Sequence, residues 1–207
     1  MNNYNISFIK SPSNIEINLN SSKSESNRLL IIKSLSDDNI KLSNLSKAND
    51  TILLNKLIKL NSNSIWDAED AGTTMRFLTS YLALQKEKVI LTGTERMKKR
   101  PIKILVDALE EIGAKIEYQE KKGYPPLIIN KKISQNKNSI SIRGDISSQY
   151  ISSLLMIAPI LKKGLIIKII SPFYSKPYVM MTLNLMKKFG INYEISKDNI
   201  SIKNQKY

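Results

Sequence analysis

At 207 residues, with 42% hydrophobic content and a formal net charge of +14, the chain is long enough for one large core or two small ones and too apolar for a disordered tract. It holds no Cys and no His, which excludes thiolate nucleophiles, imidazole bases, disulfides and the usual zinc ligands, so acid and base work falls to Lys, Asp, Glu or Tyr. Its one dense basic cluster, Arg96-Met97-Lys98-Lys99-Arg100 with Lys103, has no interleaved aromatics on which bases would stack, and suits small, multiply anionic metabolites as well as nucleic acid. Met1-Asn2-Asn3-Tyr4-Asn5 carries no apolar signal region, and no stretch approaches the roughly 18 apolar residues of a membrane span, so a cytoplasmic protein is expected.

In chain order, Ile6 to Ile9 and Ile15-Glu16-Ile17-Asn18-Leu19 alternate as two short strands. Lys23-Ser24-Glu25-Ser26-Asn27-Arg28 then leads into Leu29-Leu30-Ile31-Ile32, a polar-to-apolar helix start. Lys23 falls just before that helix and Arg28 about one turn inside it, so both charges can face a ligand at the N-terminus, or simply be solvated beside a serine cap. Residues 51 to 60 place Leu53, Leu57 and Leu60 on one helical face. Asp70-Ala71-Gly72-Thr73-Thr74-Met75-Arg76 opens a second helix start, where glycine lets backbone approach a ligand closely.

Val89 to Gly93 reads as strand and turn, and Pro101 to Ile112 as a helix with proline at its first position and Gly113 just past its end. Strands are predicted at 115 to 118, 127 to 130 and 140 to 143. Gly144-Asp145-Ile146-Ser147-Ser148-Gln149-Tyr150 runs into the apolar 151 to 157, a third helix start. Its free N–H groups and positive dipole end, completed by hydroxyls and a glutamine, fit a phosphate or carboxylate, although Asp145 or Ser147 can equally be a plain cap. A strand at 165 to 170, a helix from Pro177 to Phe189 after Ser175-Lys176, and strands at 192 to 195 and 200 to 203 close the chain.

An internal repeat emerges. Helices opening on small polar residues, at Ser24, Gly72-Thr73 and Ser147-Ser148, each precede a second helix, at 51 to 60, 101 to 112 and 177 to 189. Arg100-Pro101 to Gly113 and Lys176-Pro177 to Gly190 share the order basic residue, proline, helix, glycine, strand. The chain is therefore expected to be α/β (α+β), three copies of a two-helix, several-strand unit packed around shared helices, bringing several positive helix ends to one face.

With these motifs assembled, the chain resembles the 5-enolpyruvylshikimate-3-phosphate synthase family. The resemblance rests on Lys23 to Arg28, Ala71 to Arg76, Leu91-Thr92-Gly93 with Arg96 to Pro101, Gly123-Tyr124-Pro125-Pro126-Leu127, Gly144 to Gln149 and Ser175-Lys176-Pro177-Tyr178, in the family's order. It implies one domain of an inverse α/β barrel, built of three βαβαββ units, and transfer of the enolpyruvyl group of phosphoenolpyruvate to the 5-hydroxyl of shikimate-3-phosphate. Position by position it implies shikimate-3-phosphate contacts at Lys23, Ser24, Arg28, Ser147, Ser148, Gln149, Ser175 and Tyr178. It implies phosphoenolpyruvate contacts at Lys23, Gly72, Arg100 and Gln149, with Lys23 also assisting catalysis. No metal or organic cofactor, nucleic acid or membrane is implied, and a monomer is expected.

Two departures stand out: Asp70 where the family usually has Asn, adding negative charge near an anion site, and Met180 where an Asp is common. The family's second domain, which supplies the acid and base carboxylates, has no counterpart motifs here. The expectation is thus residues 21–207 as the N-terminal domain, binding shikimate-3-phosphate but inactive alone, with residues 1–20 packing against the second domain and so mobile or paired with another chain here. A UDP-N-acetylglucosamine enolpyruvyl transferase is the nearest alternative; Lys23-Ser24 in place of its Lys-Asn and the absence of Cys argue against it. A basic nucleic-acid-binding domain rests on net charge alone.

Overall fold

A computed structural model of the chain describes residues 19–37, 40–60 and 64–207, together with positions 5, 7 and 16. The strands expected at 6 to 9 and 15 to 19, and the packing expected of residues 1–20, lie essentially outside the described residues.

The chain runs α1 (Lys23–Leu35), α2 (Asn49–Ile58), β1 (Ile65–Asp67), α3 (Gly72–Leu82), β2 (Val89–Thr92), α4 (Glu95–Lys98), α5 (Lys103–Glu111), β3 (Lys115–Tyr118), β4 (Leu127–Lys131), β5 (Ser139–Ile142), α6 (Ser148–Ile157), β6 (Leu165–Ile169), α7 (Lys176–Lys188), β7 (Glu194–Ser196) and β8 (Asn199–Ile202). The strands form two four-stranded sheets ordered β1-β2-β4-β3 and β5-β6-β8-β7. In each, the first two strands are parallel and the remaining pairings antiparallel. Two βαβαββ units of identical topology thus follow one another. Among the described residues the first repeat contributes α1 and α2.

The helices form a ring with an inner triplet. α1, α3 and α6 touch one another, while α2 lies between α1 and α3, α5 between α3 and α6, and α7 between α6 and α1. The inner helices are buried nearly all round: from Gly72 to Ser80 every residue of α3 is buried, as is Tyr150 to Ile157 of α6. Phe77, Leu78, Leu82, Ile151 and Leu154 fill the centre at 0–1% exposure, each burial worth about 1.5–3 kcal/mol. The serines and threonines interspersed there hydrogen-bond between helices, as between Ser80 and Ser153, so close approach of the inner helices leaves these hydroxyls partnered.

All six ring helices point the same way. Thr73 and Ser80 of α3 meet Gln149 and Ser153 of α6 in the same order along both axes. Arg28 of α1 stacks 5.3 Å from the Phe77 ring and donates to Ser152. Asp50, at the start of α2, meets Lys23 and Thr74. Pro101, just before α5, accepts from Arg76 and Tyr150, and Tyr178 and Thr182 in the first turns of α7 accept from Arg28. One face therefore collects six helix N-termini, whose unpaired N–H groups and dipole ends are positive.

Candidate functional site: the face of helix starts

Each start is shaped by its local sequence. Ser22 caps α1 by accepting from the Glu25 amide at 3.3 Å, and Lys23 is the first helical residue rather than the one before it. Its ammonium reaches Asp50 at 3.5 Å and stays about half exposed. At α6 the choice between Asp145 and Ser147 as cap is resolved: Ser147 Oγ accepts from the Gln149 amide at 3.2 Å. Asp145 instead forms a two-pronged pair with Arg143, at 3.0 and 2.6 Å, and accepts from Ser171 Oγ at 2.9 Å. That serine takes the amides of Gly144 and Asp145 at 2.9 and 3.2 Å, locking the turn into α6.

The Arg143 hydrogen bonds, and after them the Ser171 bond, hold the Asp145 carboxyl well below the usual carboxylate range. Because the folded pKa lies below the unfolded one, this link contributes fully above the unfolded value and is lost only as pH falls through the lower folded one. The Gly144 and Asp145 amide resonances are accordingly expected to hold steady from pH 7 to about 4, the ordinary carboxylate range, and to move only below it. A titration of those amides by NMR checks this; a midpoint at the ordinary carboxylate value means the Arg143 link does not persist in solution.

The face brings the resemblance-derived residues into one connected set. Lys23 reaches Asp50, whose backbone carbonyl accepts from Thr74 Oγ1 at 3.1 Å. Next to Thr74, Thr73 Oγ1 accepts from the Gln149 side chain at 3.1 Å. Gly72, the first residue of α3, lies under the Arg100 guanidinium: a Cβ placed on it would stand 2.9 Å from the guanidinium carbon. Ser147, Ser148, Gln149 and Ser175 are half-buried, and Tyr178 and Arg100 exposed. The Tyr178 amide donates to the Ser175 carbonyl at 3.1 Å, at the start of α7.

Arg28 departs from the expectation that it faces outward. It is 2% exposed, with Nε donating to Thr182 Oγ1 at 2.6 Å, Nη1 to the Ser24 carbonyl at 2.8 Å, and Nη2 to Ser152 Oγ at 3.0 Å and the Tyr178 carbonyl at 3.4 Å. One turn inside an inner helix points into the ring, not across its end. Burial pushes its pKa down to about 10, which leaves it a cation at neutral pH, directly behind Ser24 and Tyr178. A second buried arginine, Arg76, at 5% exposure, sits in the corresponding turn of α3. Sequence reading assigned it no role, although its place four residues after Gly72 repeats that of Arg28 after Ser24.

The basic cluster is less continuous than its sequence. Residues 95–98 form α4, capped by Thr94, with Met97 turned into the core. Lys98 pairs with Glu95 at 3.1 Å and Glu120 at 2.9 Å, which breaks up any basic stripe. Asp70 Oδ1 accepts from Thr94 Oγ1 at 2.5 Å. Met180 lines a groove of about 910 Å³ along the flank of α1 and α7, away from Gly72 and Arg100. Among the described residues no three or more metal-ligating side chains cluster, and no helix is long and apolar enough to cross a membrane.

The family model for EPSP synthase (3-phosphoshikimate 1-carboxyvinyltransferase) matches residues 54–206. The chain is 46% identical over 193 residues to the 3-phosphoshikimate 1-carboxyvinyltransferase of Bacteroides fragilis (strain YCH46), covering 92% of this chain and 47% of that protein. It is 41% identical over 220 residues to the protein of the same name from Buchnera aphidicola subsp. Cinara cedri (strain Cc), covering 93% and 50%. The chain thus spans about half the length of the curated relatives it matches. Among solved structures, EPSP synthase from Acinetobacter baumannii superposes with a TM-score of 0.74 at 19% identity, over 89% of this chain and 46% of that one, so the fold is shared. The matched length, the relatives and the common fold together make the chain a member of the EPSP synthase (3-phosphoshikimate 1-carboxyvinyltransferase) family.

Proposed function

We propose that this chain forms the shikimate-3-phosphate wall of an enolpyruvyl transfer site, acting in the shikimate pathway that leads to chorismate and the aromatic amino acids. The observation that carries the reading is the connected set on the six helix starts. Lys23, Ser24, Ser147, Ser148, Gln149, Ser175 and Tyr178 contact shikimate-3-phosphate, with Arg28 supplying charge from behind Ser24 and Tyr178. Lys23, Gly72, Arg100 and Gln149 contact phosphoenolpyruvate, whose carboxylate and phosphate suit a guanidinium fork, an ammonium and free helix N–H groups.

In the reaction the 5-hydroxyl gives up its proton and adds to C2 of phosphoenolpyruvate while C3 takes a proton, and the tetrahedral adduct then loses phosphate together with a proton from C3, which restores the double bond. This wall binds and orients, with Lys23 assisting; the carboxylates that move protons come from a second domain. Residues 21–207 act as the N-terminal domain, as a cytoplasmic monomer, and need no metal or organic cofactor. Positioned groups from both walls are required for turnover, so the 207-residue chain binds but does not turn over.

Thermal denaturation with shikimate-3-phosphate tests this. A ligand of the native state alone, at a hundred times its Kd, adds about 2.7 kcal/mol, roughly 5–11 °C in Tm for a domain of this size. No shift at millimolar shikimate-3-phosphate sinks the half-site, and steady-state turnover by the pure chain sinks the division of labour between walls.

A further inference from the structure

Arg76 is a buried cation to which, among the described residues, no carboxylate bonds. Nη1 donates to the Gly72 carbonyl at 3.2 Å and approaches Met97 Sδ at 3.6 Å, and Nη2 donates to the Pro101 carbonyl at 3.2 Å. Burial lowers its pKa, against the neighbouring Tyr150 hydroxyl, which raises it, and with the nearby Arg100 charge adding to the lowering. Taking a guanidinium out of water without a counter-ion is costly, and an apolar side chain would fill the same space more cheaply. What the guanidinium provides instead is geometry, because its two prongs span two backbone carbonyls that a point charge cannot hold together.

Those two carbonyls belong to Gly72 and to the residue after Arg100. Between them lies the contact of the site in which the Arg100 guanidinium fills the space left by the missing Cβ of Gly72. α1 uses a similar device: Arg28 joins the Ser24 carbonyl, four residues earlier on its own helix, to the Tyr178 carbonyl in the first turn of α7. We propose that Arg76 is a positioning residue whose fork ties the first turn of α3 to the loop entering α5, holding Arg100 against Gly72 and so setting the end of the site that takes a carboxylate-bearing phosphate ester. The inference rests on the reading of Gly72 and Arg100 as phosphoenolpyruvate contacts, and on nothing else in that reading.

NMR on the whole chain separates the two. In the wild type a nuclear Overhauser contact between the Gly72 α-protons and the Arg100 side chain is expected. In Arg76→Met and in Arg76→Lys, which keeps the charge but not the fork, that contact falls at least fivefold. Pro101 keeps a donor in both variants, since Tyr150 Oη also bonds its carbonyl at 2.8 Å. Absence of the contact in the wild type, or its survival in whichever Arg76 variant folds, overturns the proposal.

With shikimate-3-phosphate present, phosphoenolpyruvate is then titrated. Arg76→Met is expected to weaken it tenfold or more with shikimate-3-phosphate affinity unchanged within twofold, and Arg76→Met combined with Arg100→Ala is expected to be no weaker than Arg100→Ala alone. Additive losses in the double variant also overturn the proposal. If the wild type binds no phosphoenolpyruvate, the reading of that end of the site fails, and the Gly72–Arg100 contact still decides the role of Arg76.

Discussion

Replacing Arg28 by alanine is expected to lower the stability of the chain by about 3 kcal/mol, within the range for emptying a large buried side chain, which is roughly 6–12 °C in Tm for a domain of this size. The loss is chiefly one of volume. Ser152 and Thr182 remain bonded to each other at 2.8 Å, and Thr182 Oγ1 still donates to the Tyr178 carbonyl at 3.0 Å, so few partners are stranded. Arg28→Met restores much of the volume without the desolvated charge and is expected to recover most of the stability. The two variants part company in ligand binding: both lose shikimate-3-phosphate affinity, because neither keeps the cation behind Ser24 and Tyr178. Thermal denaturation with and without shikimate-3-phosphate reads both effects. An Arg28→Met chain that binds as well as wild type shows that the charge plays no part in the site.

Gly72→Ala is the converse, a large effect on binding with little on folding. The nearest atoms that the added methyl meets are the far end of the exposed Arg100 side chain, which yields more easily than backbone would, and alanine suits a helix better than glycine by up to about 1 kcal/mol. Stability should therefore hold or rise slightly. Swinging Arg100 off the face removes a charge-assisted contact worth about 1.5–3 kcal/mol, or roughly 10- to 150-fold in phosphoenolpyruvate affinity. Calorimetric titration of phosphoenolpyruvate in the presence of shikimate-3-phosphate measures it. Unchanged affinity places Arg100 outside the site.

Much of this architecture is legible in the residues. The repeat announced itself through Pro101 and Pro177, through Gly113 and Gly190, and through hydroxyls at the helix starts, because caps and breakers are local chemistry. Strands such as 115–118 and 165–169 showed by their alternation or apolar run. β1, with only Ile65, Trp66 and Asp67, and α4, with four residues, are too short to carry a period, so neither was foreseen. α5 begins at Lys103 rather than Pro101 because the Ile102 amide bonds the Gly123 carbonyl at 2.9 Å, which draws Ile102 out of helical geometry.

The site itself was legible mainly as types and spacings. Family resemblance implied roles for Ser147, Ser148 and Gln149, and the fold supplied the contact of Gln149 with Thr73, next to Gly72. The inward turn of Arg28 could not be read from its neighbours. Ser152 and Thr182 look like surface residues in a linear pattern, and only the packing of the helices around them reveals that a buried cation has acceptors there. Arg76 was hidden for the same reason.

Helices packed side by side usually alternate in direction, so that their end charges cancel. The parallel ring adds six of them instead, and no side-chain substitution can remove that sum, because peptide groups produce it. On the proposed function, attraction for anions is thus a property of the backbone, while choice among anions falls to a few hydroxyls, one glutamine and the arginines. Changes at Ser147, Ser148 or Gln149 should alter which anion this face prefers long before they abolish its preference for negative charge.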